Sequence, residues 1–290
     1  MLSYNPGPVI EIFDPVADEA GVRVLIKRED QNHRFVSGNK WWKLKNNLVE
    51  AKRLGKNTIL TFGGAYSNHI FSTAAAANEL QFQSIGIIRG EEITPLNATL
   101  QFAKEKGMQL HFVTRESYRR KTETDFIQSL EDLFGDFYLI PEGGSNELAV
   151  KGCEEFGNQL STLEFDYLCL PVGTGGTLAG IIRGIPERKV IGFSALKGGV
   201  FLKDDVLRFT PQSVTDWQIN TDYHFGGYAK TTDSLIKFIT SFESKHNVLL
   251  DQVYTGKMMF GVFDLIKKGF FSQGTTILIL HTGGLQGKSF

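Results

Sequence analysis

Residues 37–80 read SGNKWWKLKNNLVEAKRLGKNTILTFGGAYSNHIFSTAAAANEL. WWKLKNNLVEAKRLG has the length of a helix, and Leu44, Leu48 and Ala51 fall at i, i+4 and i+7 on one apolar face. TILTF (58–62) is a β-branched run of strand length. Gly63 and Gly64 then turn the chain into SNHIFSTAAAANEL, a second helix-length segment. The alternation continues outward. Strand-length apolar runs stand at VRVLIK (22–27), SIGII (84–88), LHFV (110–113), FYLI (137–140), YLCLPV (167–172), KVIGF (189–193) and TTILIL (275–280). ATLQFAKEKG and SNELAVKGCEEFGNQL are among the helix-length stretches between them. This pattern predicts an α/β fold of open, mainly parallel twisted sheets flanked by helices. Parallel strands need crossovers, and helical crossovers cover the sheet faces.

After Phe193 the pattern loosens. Residues 195–230 mix Gly, Asp, Thr and aromatics without a period, and read as an irregular connection with a hairpin around Trp217 to Phe225. No internal repeat and no Pro/Ser/Gly linker divides the chain, so two domains here would be interleaved rather than joined end to end.

The 290 residues are 41% apolar and 22% charged, an ordinary globular composition with a sizeable core. Lys plus Arg is 31 and Asp plus Glu is 32, a net charge of −1. Proteins that neutralise a phosphate backbone are clearly basic, so nucleic acid is not expected as a partner. Cys153 and Cys169 make neither a disulfide framework nor a zinc spacing, and no metal is expected. No apolar run reaches the roughly 18 residues of a membrane span. The opening MLSYNPGPVIEIF lacks the basic and apolar regions of a signal peptide. We expect a cytoplasmic homodimer acting on a small molecule.

Three glycine turns follow strands. In YLCLPVGTGGTLAG, Gly173, Thr174, Gly175, Gly176 and Thr177 precede a helix-like segment. Small residues let backbone N–H groups converge, and a helix N-terminus adds partial positive charge, which together suit an anion such as phosphate. Leu178 stands where a dinucleotide fingerprint needs its third glycine. In TFGGAYSNH, Ser67, Asn68 and His69 open a helix; Ser and Asn there also serve as N-caps. In HTGGLQGKS, the Gly287-Lys288-Ser289 run is no triphosphate loop, because Thr282 occupies the position of its first glycine and no helix is expected after it. Such turns at strand C-termini form the ligand cleft of an α/β fold.

Lys40 and Lys43 are i, i+3 neighbours among Trp41, Trp42 and Leu44, whereas Lys45 reads as a solvated lysine. A cationic neighbour and partial burial lower a lysine's pKa and supply the neutral amine a Schiff base needs. One amine for a carbonyl carbon and one for an anion match pyridoxal phosphate.

Read in order, VLIKRED…SGNKWWKL, FGGAYSNH, VGTGGTLAG, VYTGK and HTGG resemble the pyridoxal-phosphate-dependent 1-aminocyclopropane-1-carboxylate deaminase and D-cysteine desulfhydrase family, over residues 24 to 284. The resemblance implies the fold type II architecture of these enzymes, similar to the tryptophan synthase β chain. A smaller α/β domain, 46–145, would be inserted in a larger cofactor-binding one, 1–45 plus 146–290. It implies that Lys40 is the Schiff-base lysine and Lys43 the lysine near the phosphate, with Gly173 to Thr177 as the phosphate loop. It places Asn68 at the cofactor's 3′-oxygen and Ser67 near the substrate carboxylate and reacting carbon. Tyr228, in FGGYAK, and Tyr254 match the two active-site tyrosines.

Three positions bear on activity. Thr255 and Thr282 stand where the deaminase has Glu and Leu, and His69 where it tends to have Gln; the desulfhydrases tend to small hydroxyl residues and His. Thr255 and Thr282 are therefore expected at the cofactor, and His69 joins Ser67 and Asn68 as a substrate contact. A carboxylate at the pyridine nitrogen drains carbanion charge into the ring, and a hydroxyl does so less, which favours expulsion of a β leaving group. This favours D-cysteine, converted to pyruvate, ammonia and sulfide, with Lys40 as base and a tyrosine helping. The alternatives are 1-aminocyclopropane-1-carboxylate deamination and a non-catalytic pyridoxal-phosphate or amino-acid binding protein. Departures from the family are Tyr66 for Gln, Phe71-Ser72 for Arg-Gln, and a short sequence after HTGG.

Overall fold

The computed structural model describes residues 2–92, 94–210 and 215–288. The strands are β1 (Val9–Ile12), β2 (Arg23–Lys27), β3 (Thr58–Gly64), β4 (Gln83–Arg89), β5 (Met108–Val113), β6 (Tyr138–Ile140), β7 (Tyr167–Val172), β8 (Lys189–Ser194), β9 (Asp216–Asn220) and β10 (Thr276–Leu280). They form two sheets, one in the order β1-β2-β10-β7-β8-β9 and one in the order β5-β4-β3-β6. Every pairing is parallel except β1 with β2.

All eight expected strand runs form strands. The central ones are buried on both faces, as parallel strands under helices must be. Two edge strands escape sequence reading. β1 and β9 are short and half exposed, so neither shows a continuous apolar run. The hairpin expected around Trp217 to Phe225 is not there. Trp217 lies in β9, which pairs parallel to β8, and residues 224–230 form turns. β8 needed an edge partner, and the Trp217–Asn220 backbone supplies it.

The six-stranded sheet takes β1 and β2 from before the four-stranded sheet and the remainder from after it, so the chain crosses between the sheets twice. The helix Asn39–Arg53 makes the first crossing. Its Leu44, Leu48 and Ala51 are buried, as their spacing implies. It lies on the helix Glu147–Leu160, with Trp42 stacked on Phe156 at 4.8 Å between ring centroids. Trp42 Nε1 also donates to the buried Glu29 carboxylate at 2.9 Å. Lys45 pairs with Glu155 at the surface side, in keeping with its reading as an ordinary lysine.

Candidate active site

The C-terminal ends of β3, β7 and β10 open onto a cleft of about 1490 Å³. Lys40, Lys43, Ser67, Asn68, His69, Gly173, Thr174, Gly175, Thr177, Tyr228, Tyr254 and Thr282 all line it. Gly176 sits directly behind, where a Cβ would come within 3.2 Å of Lys43 Nζ. A glycine outside the three turns brings Lys40 here. Gly38, at φ +67°, begins the lysine helix so close to the end of β10 that a Cβ would overlap the Thr282 carbonyl oxygen at 1.9 Å.

The two lysines differ. Lys43 is buried, and its ammonium donates to Gly143 O at 2.5 Å, Ser145 Oγ at 3.1 Å and Thr174 Oγ1 at 3.4 Å. Among the described residues, Lys40 Nζ donates only to Asn39 Oδ1, at 3.1 Å. Asn39 is fixed in turn, donating from Nδ2 to Thr177 Oγ1 at 2.8 Å. Burial, and then the charge of Lys43, pull the Lys40 amine down to about 7; burial pulls Lys43 to about 8. Lys40 is therefore the more available nucleophile and Lys43 the committed cation.

Gly175, at φ +76°, turns the end of β7 into the helix Gly176–Gly184. Around that turn stand the Lys43 ammonium, the hydroxyls of Ser145, Thr174 and Thr177, and a helix N-terminus. This donor set suits a phosphate ester. The free amine of Lys40 beside it suits an aldehyde, and the residues present fit pyridoxal phosphate on both counts.

On the opposite wall, Ser67 caps the helix Asn68–Glu79, its Oγ accepting from His69 N and Ile70 N at 3.2 Å each. Asn68 Oδ1 accepts from Gln286 Nε2 at 2.7 Å. The Thr61 hydroxyl gives its proton to Ile140 O at 2.8 Å, so the His69 Nε2–H donates to Thr61 Oγ1, also at 2.8 Å. Among the described residues, none hydrogen-bonds His69 Nδ1. Burial, and then the charges of Lys40 and Lys43, hold this imidazole well below its ordinary pKa, so it is neutral.

Tyr228 and Tyr254 face each other with centroids 6.0 Å apart and planes at 69°. Burial, and then the Tyr228 hydroxyl beside it, hold Tyr254 protonated well beyond the usual phenol range. Tyr254 also leans on Gly173, where a Cβ would meet its ring at 3.0 Å.

Thr255 does not face the cleft as expected. It is fully buried at the start of the helix Thr255–Lys267, and its hydroxyl donates to Asp251 Oδ2 at 2.6 Å. The Asp251 carboxylate also accepts from the amides of Val253, Tyr254 and Thr255. The open helix start explains why Asp251 is there: its carboxylate takes the amides of Tyr254 and Thr255 and its backbone oxygen that of Gly256, and the Thr255 hydroxyl donates to the same carboxylate. Tyr66 is 62% exposed at the cleft mouth. Phe71 stacks on Phe102 at 3.8 Å, and Ser72 Oγ bonds to Phe35 O, so this pair closes an aromatic cluster behind the site.

Sequence reading missed Asn39, Gly143, Ser145 and Asp251. The signal for three of them was present. EGGSN (142–146) is another Gly turn after a strand, and Asn39 stands beside Lys40. Asp251 carries no such signal, because apart from the Thr255 hydroxyl the partners of its carboxylate are backbone amides.

The pattern of the family described as "Pyridoxal-phosphate dependent enzyme" matches residues 3–283. The bifunctional D-cysteine desulfhydrase/1-aminocyclopropane-1-carboxylate deaminase of Arabidopsis thaliana is 31% identical over 294 residues, covering 92% of this chain and 73% of that one. The D-cysteine desulfhydrase of Salmonella choleraesuis is 28% identical over 302 residues, covering 95% and 90%. A crystal structure described as an ACC deaminase homologue superposes with a TM-score of 0.81 at 27% identity, covering 99% of this chain and 92% of that one.

Proposed function

The chain belongs to the pyridoxal-phosphate-dependent enzyme family, and we propose that within it this protein is a lyase that eliminates the β substituent of a small amino acid, D-cysteine first. The products are pyruvate, ammonia and sulfide, with one water consumed. Pyridoxal phosphate supplies an aldehyde that an amine captures and a ring that delocalises charge from the substrate's α-carbon.

The observation behind this reading is the unequal pair of lysines. Lys43, Ser145, Thr174 and the Gly173–Thr177 turn would hold the phosphate, and Asn68 would serve the ring oxygen. Lys40, whose amine is lowered to about 7 and bonded to Asn39 alone among the described residues, would supply the amine that captures the aldehyde and the base for the α proton. Tyr254 gives a proton rather than taking one, since it is held protonated, and Tyr228 orients it. Ser67 and Asn68 would receive the substrate carboxylate at a helix N-terminus, whose partial charge favours an anion, and the neutral His69, its Nε2–H committed to Thr61, packs behind them rather than donating to it. Thr282 lines the cleft beside them. The division at 45/46 and 145/146 is part of this reading, supported by β3–β6 falling inside 46–145; the helix Asn39–Arg53 then straddles the boundary. So are a homodimer, which sedimentation tests, and a cytoplasmic location. No helix among the described residues is long and apolar enough to cross a membrane.

One observation favours a second reading. Asp251 places a carboxylate behind Thr255, so the simple contrast of hydroxyl against carboxylate does not hold, and 1-aminocyclopropane-1-carboxylate stays a candidate substrate. Keto-acid release from 1-aminocyclopropane-1-carboxylate and from the D- and L-isomers of cysteine and serine decides. Turnover of the cyclopropane substrate alone would replace the first reading with the second. No turnover of any substrate, with the cofactor bound, would favour a binding protein.

A further inference from the structure

Lys257, the lysine of VYTGK, has no part in the chemistry above, yet it is 1% exposed. Its ammonium donates to His224 O at 2.9 Å and Gly227 O at 2.7 Å. Both carbonyls belong to the turn HFGGYAK (224–230), which bears Tyr228. That turn has an unusual backbone. Phe225, Gly226, Gly227 and Ala229 have φ of 51°, 93°, 116° and 56°. Two of the four are not glycine, and such residues hold a left-handed conformation only where their surroundings impose it.

Besides its own hydrogen bonds, two anchors from one helix hold the Phe225 end of this turn. Phe225 packs edge-on against Phe260 at 5.0 Å, and Lys257 bridges the carbonyls on either side of Phe225 and Gly226. Phe260 and Lys257 lie on the same helix, Thr255–Lys267, whose N-cap is Tyr254. One helix therefore sets Tyr254 directly and reaches back, three residues on, to hold the turn that sets Tyr228. Burial lowers the Lys257 ammonium to about 8, and the Asp251 carboxylate at the head of that helix opposes the loss of its proton.

We propose that Lys257 is a positioning residue that fixes Tyr228 against Tyr254 by clamping the 224–230 turn. The proposal rests on the assignment of Tyr228 to the reaction. The test compares holoenzyme carrying Lys257→Met, Tyr228→Phe and both, with kcat and KM measured on the best substrate of the screen. Amide hydrogen exchange of 224–230 and the cofactor's visible band are followed alongside. Lys257→Met should lower kcat about tenfold, leave the cofactor band in place and speed exchange in the turn. In the Tyr228→Phe background it should change kcat by less than about twofold, because the two act as a unit. Equal losses in both backgrounds would overturn the proposal, as would unaltered exchange, whatever happens to activity. If Lys257→Met does not fold, Lys257→Gln keeps a shorter donor and goes through the same cycle with the same criteria. A Tyr228→Phe enzyme as active as the parent would defeat the assignment of Tyr228, and exchange alone would then judge the clamp.

Discussion

Lys40 and Lys43 stand one helical turn apart, and among the described residues the ammonium of Lys43 is held by three oxygens while Lys40 keeps a single partner. Those oxygens belong to residues roughly a hundred or more positions away, on the EGGSN turn and the β7 glycine turn. Borohydride reduction of the purified protein followed by peptide mapping should find the cofactor adduct on Lys40. An adduct on Lys43 would reverse the roles of the pair.

The availability of Lys40 depends on pH in a definite direction. Its pKa lies at about 7, below the ordinary lysine value, so the reactive neutral amine appears as pH rises through 7. Reconstitution of apoenzyme with pyridoxal phosphate should speed up about tenfold per pH unit below 7 and level off above it. A rate still climbing steeply at pH 9 would mean that burial and Lys43 do not act on Lys40 as described.

Gly175→Asp places a side chain at a left-handed position and a negative charge in the phosphate turn, where its Cβ would meet Val206 at 3.1 Å. Cofactor affinity should fall more than about tenfold, since like charges repel at the phosphate site. Titration of the visible band checks this; parental affinity would rule out the turn as the phosphate site.

Asp251 changes what a substitution at Thr255 does. Thr255→Val removes a buried donor to a carboxylate and should cost about 2 kcal/mol in urea unfolding. Thr255→Glu should cost more, because it buries a second carboxylate beside the first, and Asp251→Asn should recover part of the loss. Thr255→Glu tolerated without loss would show that its side chain points into the cleft after all.

Gln286 folds back from the turn Leu285–Gly287 to bond Asn68, and Gln252 Nε2 holds the same turn through Gly287 O at 2.8 Å. Gln286→Ala should therefore raise the cofactor dissociation constant several-fold, about 1 kcal/mol, with a change of less than about 0.5 kcal/mol in unfolding. A fall in stability without a change in affinity would make the contact purely structural.

The residues of the chain settled on their own wherever local chemistry suffices. Strands buried on both faces must be continuous apolar runs, which is why TILTF and YLCLPV read plainly while β1 and β9, half exposed at sheet edges, did not. Gly-rich turns after strands and a lysine pair at i, i+3 likewise point to a cleft, an anion and an amine without any coordinates. Tertiary structure decided the partners. Which lysine is saturated, which carboxylate collects the Thr255 hydroxyl, and which ammonium grips the Tyr228 turn all depend on groups brought together from distant strand ends. Many of those groups are backbone carbonyls and amides, which every residue possesses and which leave no mark in a sequence.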